Sequence, residues 1–169
     1  MRFGEVDFPE PLLSAQKNGT LVIFAGAGVS MGAPANYPSF TQLANEVASN
    51  TLEREKDEPI DHFLGRLQRQ GVQVHRRTCS FLSDPNSKPN PLHYDLLKLF
   101  LSVSKVRLVT TNFDTHFTTA AAELFSDEFE IFHAPALPLG HDFNGIVHLH
   151  GSVDKSSEGC DLDMIKSRW

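Results

Sequence analysis

Residues 21–30, with the sequence LVIFAGAGVS, join an unbroken apolar run directly to a glycine-containing turn. A run that is apolar on both faces, as at residues 21–25, is typical of a strand buried between helices in a parallel sheet. Glycines at positions 26 and 28 would let the backbone turn sharply and let a diphosphate approach its amide groups. The stretch therefore predicts the first strand and turn of a nucleotide-binding fold. Taken alone, the G-x-G is equally compatible with a tight strand–helix turn, because the third glycine of the dinucleotide fingerprint is missing.

Predicted strands and helices alternate along the rest of the chain. Strands are predicted at residues 21–25, 106–111, 128–132 and 145–150, and helices at residues 9–16, 39–52, 61–70, 72–82, 93–102 and 113–125. This alternation predicts an α/β fold with a Rossmann-like, doubly wound parallel sheet. No closing element follows the fourth strand, so we expect residues 1–169 to be one nucleotide-binding domain that is truncated on its C-terminal side and belongs to a longer protein.

Polar side chains follow three of the predicted strands. They occupy residues 26–28, 111–114 and 150–152. Ligands of doubly wound sheets bind beyond the carboxyl ends of the strands, so we expect these segments to converge on one crevice. For Asn112 and Asp114 a structural alternative stays open and is favoured if the motif is considered alone: short polar side chains at such a bend often bond their own backbone in an Asx turn.

His148 and His150 alternate along one predicted strand, which would place both on the same side. With Asp142 nearby, the pair could suggest a metal site, but no third well-placed ligand appears and no metal is expected. The favoured interpretation is a general base at His150, with His148 deeper and structural. For the remaining histidines the default is packing or surface exposure: His62, His75, His93, His116, His133 and His141.

Composition excludes several classes of protein. The 169 residues are 40% apolar and 21% charged, which excludes a disordered tail, a collagen-like repeat and a coiled coil. The formal net charge of −6 gives no general attraction for nucleic acid. Cys79 and Cys160 are expected as free thiols, which together with the lack of a signal peptide or of an apolar run of about 20 residues favours the cytoplasm. P-loop, G-x-S-x-G and H-E-x-x-H motifs are absent.

Three motifs in order carry a resemblance to a known family. GAGVS at residues 26–30, TTNFD at residues 110–114 and HLHGS at residues 148–152 resemble the GAG-I/V-S, T-Q-N-I-D and H-G-S/T motifs of the sirtuin superfamily. PLHYDLLKLF before the second motif, and PALPLG before the third, resemble divergent bacterial sirtuin-like domains of anti-phage defence systems. The resemblance covers about residues 15–155.

The resemblance implies that the chain binds NAD as its substrate and hydrolyses it to nicotinamide and ADP-ribose. Asn112 would then hold the ribose hydroxyls of the nicotinamide side and help to place the attacking water, and His150 would be the base. Asp114 would bond the carboxamide. The other cofactor-binding residues implied by the motifs are Gly26, Ala27, Gly28 and Ser30 at the diphosphate and ribose, and Phe40 over the nicotinamide pocket.

Departures from the deacylating sirtuins decide between the activities of the superfamily. Residues 37–40 read YPSF where deacylases have P-D-F-R, Thr111 replaces a glutamine, and no C-x-x-C pair for a structural zinc follows HLHGS. These departures favour NAD hydrolysis over the alternatives of a protein deacylase or an ADP-ribosyltransferase. A non-catalytic module that binds NAD or ADP-ribose is the second alternative. As partners the resemblance implies a homo-oligomer and a sensor domain or partner protein beyond residue 169, with neither a membrane nor direct nucleic-acid contact.

Overall fold

The computed structural model describes residues 2–134, 136–138, 143–154 and 161–163. Over these residues four consecutive α-helices separate the first strand of the central sheet from the second, and one α-helix separates the second from the third; two short 3-10 helices lie at Ala27–Ser30 and Val103–Lys105. In chain order the elements are β1 (Arg2–Phe3), β2 (Val6–Asp7), α1 (Glu10–Lys17), β3 (Ile23–Ala25), α2 (Phe40–Ala48), α3 (Ile60–Arg69), α4 (Val74–Leu82), α5 (Pro91–Leu97), β4 (Arg107–Thr110), α6 (His116–Leu124), β5 (Glu130–His133), β6 (Gly145–His148), β7 (Ser152–Asp154) and β8 (Asp161–Asp163).

The central sheet has four parallel strands in the order β3-β4-β6-β5. Its last register row is Ala25, Thr110, His148 and His133, so the carboxyl ends of all four strands lie along one edge. β1–β2 and β7–β8 are small antiparallel pairs. The predicted α/β fold with a Rossmann-like parallel sheet flanked by helices is confirmed.

One face of the sheet packs against α5 and α6. Leu108 and Ile146 are fully buried there in a core with Leu97 and Phe117. Among the described strands, however, β3 pairs with β4 alone and forms an edge of the sheet. The prediction that residues 21–25 are buried on both faces is wrong, because Phe24 alternates to the opposite face and is 72% exposed.

Helices α2, α3 and α4, which lie between β3 and β4 in the sequence, form a second core. Their buried residues include Val47, Phe63 and Leu67. Phe113, which follows β4, and Val153, in β7, pack in the same core. We call α2–α4 the helical module. Its contact with Phe113 and Val153 places it beside the carboxyl edge of the sheet.

Local backbone chemistry explains where α2 begins and ends. Ser39, where the predicted helix begins, caps it: its side chain accepts the Gln42 amide at 3.3 Å, and the Gln42 side chain accepts the Ser39 amide at 2.9 Å. The helix ends at Ala48 rather than at the predicted residue 52, because Ser49 and Asn50 adopt left-handed conformations with φ of 45° and 60°.

Two further expectations bear on location. Among the described residues no helix is both long enough and apolar enough to cross a bilayer. Cys79 is buried and disulfide-bonded, so the expectation of a free thiol is wrong at this position. Cys79 therefore no longer supports the cytoplasmic assignment. Cys160 lies outside the described residues.

Candidate functional site

A cleft of about 600 Å³ lies between the carboxyl edge of the sheet and the helical module. This volume is within the range of small-molecule sites in proteins, about 300–1,000 Å³. The sheet side is formed by loops that follow β3, β4 and β6, and the module contributes residues of all three of its helices. The lining residues are Ala27, Ser30, Tyr37, Pro38, Phe40, Leu43, Asp61, His62, Leu82, Thr111, Asn112, Phe113, Asp114 and His150.

Most of the predicted site residues lie at this cleft. Ala27 and Ser30 line it from the 3-10 helix after β3, and Phe40, the first residue of α2, lines it as well. Asn112, Asp114 and His150 are described below, and all three line the same cleft. Gly26 and Gly28 belong to the same loop as Ala27 but are not among the lining residues.

Ser30 is the centre of a buried hydrogen-bond network. Its Oγ–H donates to Asp114 Oδ2 at 2.9 Å, and it accepts from Asn112 Nδ2 at 3.2 Å. His93 Nε2 lies 3.2 Å from the same oxygen. Because a hydroxyl has one proton and a carboxylate can only accept, His93 must donate from Nε2. The network holds the side chains of Asn112 and Asp114 in fixed positions relative to the turn after β3.

His93 is the residue of this network that the sequence prediction missed. It is fully buried, and burial lowers its pKa to about 4, so the ring is neutral at pH 7. Asn90 caps α5, and its backbone N–H donates to His93 Nδ1 at 3.1 Å, while Asn90 Oδ1 lies 2.8 Å from the same nitrogen. The proton on Nε2 is therefore assigned from the contact with Ser30 alone. The available signal was an Asn-Pro start of a helix with a histidine three residues on, in the position of a capping box.

Asn112 is 6% exposed and lies two residues after the end of β4. Its Nδ2 group donates to Ser30, but its Oδ1 atom is buried and has no hydrogen-bond partner among the described residues. Such an atom costs about 1–3 kcal/mol when it is left unsatisfied. An unpaired acceptor on a residue that lines a cleft is the kind of group that a hydroxyl or water of a ligand can satisfy.

Asp114 forms an Asx turn, which is the structural alternative to ligand binding. Its Oδ1 accepts the backbone amide of His116, two residues further along the chain, at 3.1 Å. Its Oδ2 accepts from Ser30 at 2.9 Å. Both oxygens thus have protein donors, and each retains a second lone pair for a ligand. The structural and the binding interpretations of Asp114 are compatible.

His148 and His150 occupy different environments. β6 ends at His148, so the prediction that a strand runs to His150 is wrong, and the two rings do not share a strand face. His148 is fully buried and stacks on His133 at 5.2 Å; burial, followed by the charge of His133, lowers its pKa to about 4. His150 is exposed in the cleft, 6.2 Å from the Phe113 ring. The prediction that His148 lies deeper than His150 is confirmed, and its structural role stays a prediction.

Metal binding was considered for these histidines. Within the part of the chain that the structure describes, no group of three His, Cys, Asp or Glu side chains is placed to hold a metal ion. Asp142, the third member of the suggested set, lies outside the described residues.

The two glycines of the turn are not required by its backbone. Gly26 is extended, with φ of −118°, and neither glycine has a positive φ. The expectation that a sharp turn needs them is therefore wrong. A Cβ at Gly26 would make an ordinary 3.6 Å contact with Thr111, and a Cβ at Gly28 would meet nothing within 4 Å. The space in front of Gly28 is open to a ligand.

The structure also brings residues to the cleft that the motifs did not indicate. Asp61 and His62 lie in the first turn of α3, with Asp61 Oδ2 3.9 Å from His62 Nε2, and both side chains are exposed. Tyr37 is buried, which raises the pKa of its phenol, and its hydroxyl donates to the Leu82 carbonyl at 2.6 Å. A polar pair at the start of an amphipathic helix is usual on any surface, so the sequence offered no signal for Asp61 and His62.

Comparison with known proteins gives little functional information. No family model matches the chain. The chain is similar to the uncharacterized protein y4cA of Sinorhizobium fredii (strain NBRC 101917 / NGR234), with 34% identity over 167 residues. The match covers 87% of this chain and 14% of that protein, so the chain spans about one seventh of the length of the curated relative it matches.

Proposed function

We propose that this chain is a sirtuin-like NAD hydrolase domain that converts NAD and water to nicotinamide and ADP-ribose. The observation that carries the proposal is the convergence of three separate sequence segments on one cleft. Ala27 and Ser30, Asn112 and Asp114, and His150 belong to the three motifs that resemble sirtuins, and all of them line it. Their positions at the carboxyl edge of a parallel sheet are those at which such folds bind nucleotides.

The chemistry of the reaction suits these side chains. The bond between ribose C1′ and the pyridinium nitrogen breaks, and nicotinamide leaves as a neutral molecule with the bonding electrons. The ribose then passes through an oxocarbenium-like state, as in other glycoside cleavage. Water adds to C1′ and loses a proton. Catalysis of this kind requires a fixed ribose and one proton acceptor near neutral pH.

Asn112 and His150 have the complementary properties that these roles require. Asn112 is buried and held by Ser30, and its unpaired Oδ1 can accept a hydrogen bond from a ribose hydroxyl or from the attacking water. His150 is exposed in the same cleft, and an imidazole can accept the proton that the water loses. A buried orienting group and an accessible base are thus available on one surface.

The biological role that we propose is that of an effector in bacterial anti-phage defence. Depletion of NAD would stop an infected cell. This part of the proposal, with the homo-oligomer and the sensor domain or partner beyond residue 169, is supported by the motif resemblance and by the similarity of residues 91–114 and 135–152 to such domains.

The direct test is NAD cleavage by the natural full-length protein, purified and in cells challenged with phage. We expect nicotinamide and ADP-ribose in equal amounts, measured by chromatography, and the same rate with a chelator, since a pyridinium leaving group needs no Lewis acid. Acyl-ADP-ribose formed from an added acyl-lysine peptide would indicate a deacylase instead. If calorimetry detects NAD binding but neither the purified protein nor the phage-challenged cells cleave NAD, the chain is a non-catalytic binding module. That result would contradict the proposed hydrolase.

Gly28→Ala is expected to weaken NAD binding while leaving the fold unchanged. The added methyl group meets no protein atom within 4 Å, so the free energy of unfolding should change by less than about 1 kcal/mol. If the diphosphate approaches the backbone here, the methyl group occupies its space, and we expect the Kd for NAD to rise about tenfold or more. Calorimetric titration of the variant beside the unaltered protein measures this, and an equal Kd would exclude Gly28 from the binding surface.

A further inference from the structure

The segment at residues 33–40 covers one side of the cleft. Tyr37, Pro38 and Phe40 belong to this segment and line the cleft. Its backbone is attached to the turn after β3 by a hydrogen bond from the Tyr37 amide to the Ser30 carbonyl at 2.9 Å. We call residues 33–40 the cover segment.

His116, the first residue of α6, lies beneath the cover segment. It is 3% exposed and is not among the residues that line the cleft. The Tyr37 ring stacks on its imidazole, with 5.1 Å between the ring centroids and an interplanar angle of 11°. His116 therefore supports the cover segment through a ring contact that a ligand in the cleft does not touch.

Ser87 adds a hydrogen-bonded link between His116 and the same segment. Its Oγ–H donates to the Ala35 carbonyl at 2.6 Å, and its Oγ lies 2.8 Å from His116 Nε2. The single hydroxyl proton is used at Ala35, so His116 donates from Nε2–H. All three residues are buried, and a buried bond of this kind is costly to lose.

The other side of His116 reaches the site residues. Its backbone amide donates to Asp114 Oδ1, and Asp114 Oδ2 accepts from Ser30, which also holds Asn112. One residue thus joins the carboxylate at the bottom of the cleft to the segment that covers it. None of the three sirtuin-like motifs includes His116 or Ser87.

From these contacts we infer that His116 and Ser87 are positioning residues, which hold the cover segment over the cleft at a fixed distance from Asp114. They set the affinity for the ligand and do not take part in bond cleavage. The effect on NAD rests on the proposed function, whereas the effect on the cover segment does not.

Three variants separate the parts of this link. His116→Phe keeps a ring beneath Tyr37 but removes the donor, and Ser87→Ala removes the hydroxyl. His116→Gln keeps an N–H donor at the position of Nε2 but removes the ring. Asn86→Ala is the control, because Asn86 lies in the same loop, is exposed and bonds only Asp84 among the contacts described.

Hydrogen exchange measured by mass spectrometry tests the link without any ligand. We expect amides of the cover segment to exchange about tenfold faster in His116→Phe and in Ser87→Ala, and the double variant to be no faster than either. His116→Gln should recover most of the protection. Amides of β4 and β6 should be unchanged in all of them, as should the whole protein in Asn86→Ala.

Kinetics of NAD cleavage by the full-length protein give the second measurement. We expect the KM for NAD to rise about tenfold in His116→Phe and Ser87→Ala, with kcat within about threefold of the unaltered protein and partial recovery of KM in His116→Gln. Unchanged exchange of the cover segment in both single variants would overturn the inference. Faster exchange in a protein that does not cleave NAD would support the link and contradict the proposed hydrolase, so the two failures are distinguishable.

Discussion

His150→Ala and Asn112→Ala are each expected to lower the rate of NAD cleavage by about 10²-fold or more, the usual contribution of a positioned catalytic group. His150→Ala removes the proton acceptor of the cleft. Asn112→Ala removes the unpaired Oδ1 that we assign to the ribose or water. Both residues follow the ends of strands and face the cleft, so the fold should persist. Nicotinamide release at saturating NAD measures the effect, beside the thermal midpoint of each variant.

Two exposed or half-exposed positions outside the cleft provide matched controls. His75→Ala and Asn86→Ala change the same residue types, and we expect cleavage within about twofold of the unaltered protein. A variant of His150 or Asn112 that binds NAD, keeps its thermal midpoint and cleaves at a near-normal rate would remove that residue from the mechanism.

Gly145→Ala is expected to destabilise the fold severely. Gly145 begins β6 with a φ of 142°, and an added Cβ would clash with the carbonyl oxygen of Glu130 in the neighbouring strand. That oxygen belongs to the backbone and cannot move without separating β5 from β6. Strain at such a φ and overpacking each cost about 1–3 kcal/mol, and a domain of ordinary size has only about 5–15 kcal/mol in total.

Urea unfolding followed by circular dichroism measures this loss. Gly71→Ala is the matched control, because Gly71 also has a positive φ, of 86°, but a Cβ there meets nothing within 4 Å. We expect the control to lose about 1–2 kcal/mol from strain alone. If the two variants unfold at the same urea concentration, the backbones of β5 and β6 are not as close at Gly145 as the structure indicates.

The parts of the fold that could be predicted are those that depend on neighbouring residues. Apolar runs indicate the strands, and Ser39 indicates the start of α2, because a helix cap involves residues only three apart. The positions of Asn112, Asp114 and His150 just after strands followed from the same local patterns. Once a parallel sheet is predicted, its carboxyl edge brings such segments together.

The strand order and the exposure of individual side chains required the tertiary structure. A buried strand and an edge strand can have the same apolar sequence, so residues 21–25 gave no sign that Phe24 would be 72% exposed. Because the side chains of a strand point to the faces of the sheet, the packing on each face, rather than the strand's own sequence, decides this exposure. The same argument applies to His148 and His150, which are two residues apart and differ in burial because β6 ends between them.

The sequence by itself determined the α/β alternation, the helix cap at Ser39 and the order of the three motifs, because each depends on contacts within a few residues. Only the tertiary structure decided which side chains complete the site. Ser30 forms hydrogen bonds with Asp114, 84 residues away in the sequence, and with His93, 63 residues away. Ser87 forms a hydrogen bond with Ala35, which is 52 residues away. These pairs determine which atoms carry the protons, which histidines are neutral and how the cover segment is supported. A hydrogen bond between buried groups depends on where the fold places them and not on their separation in sequence.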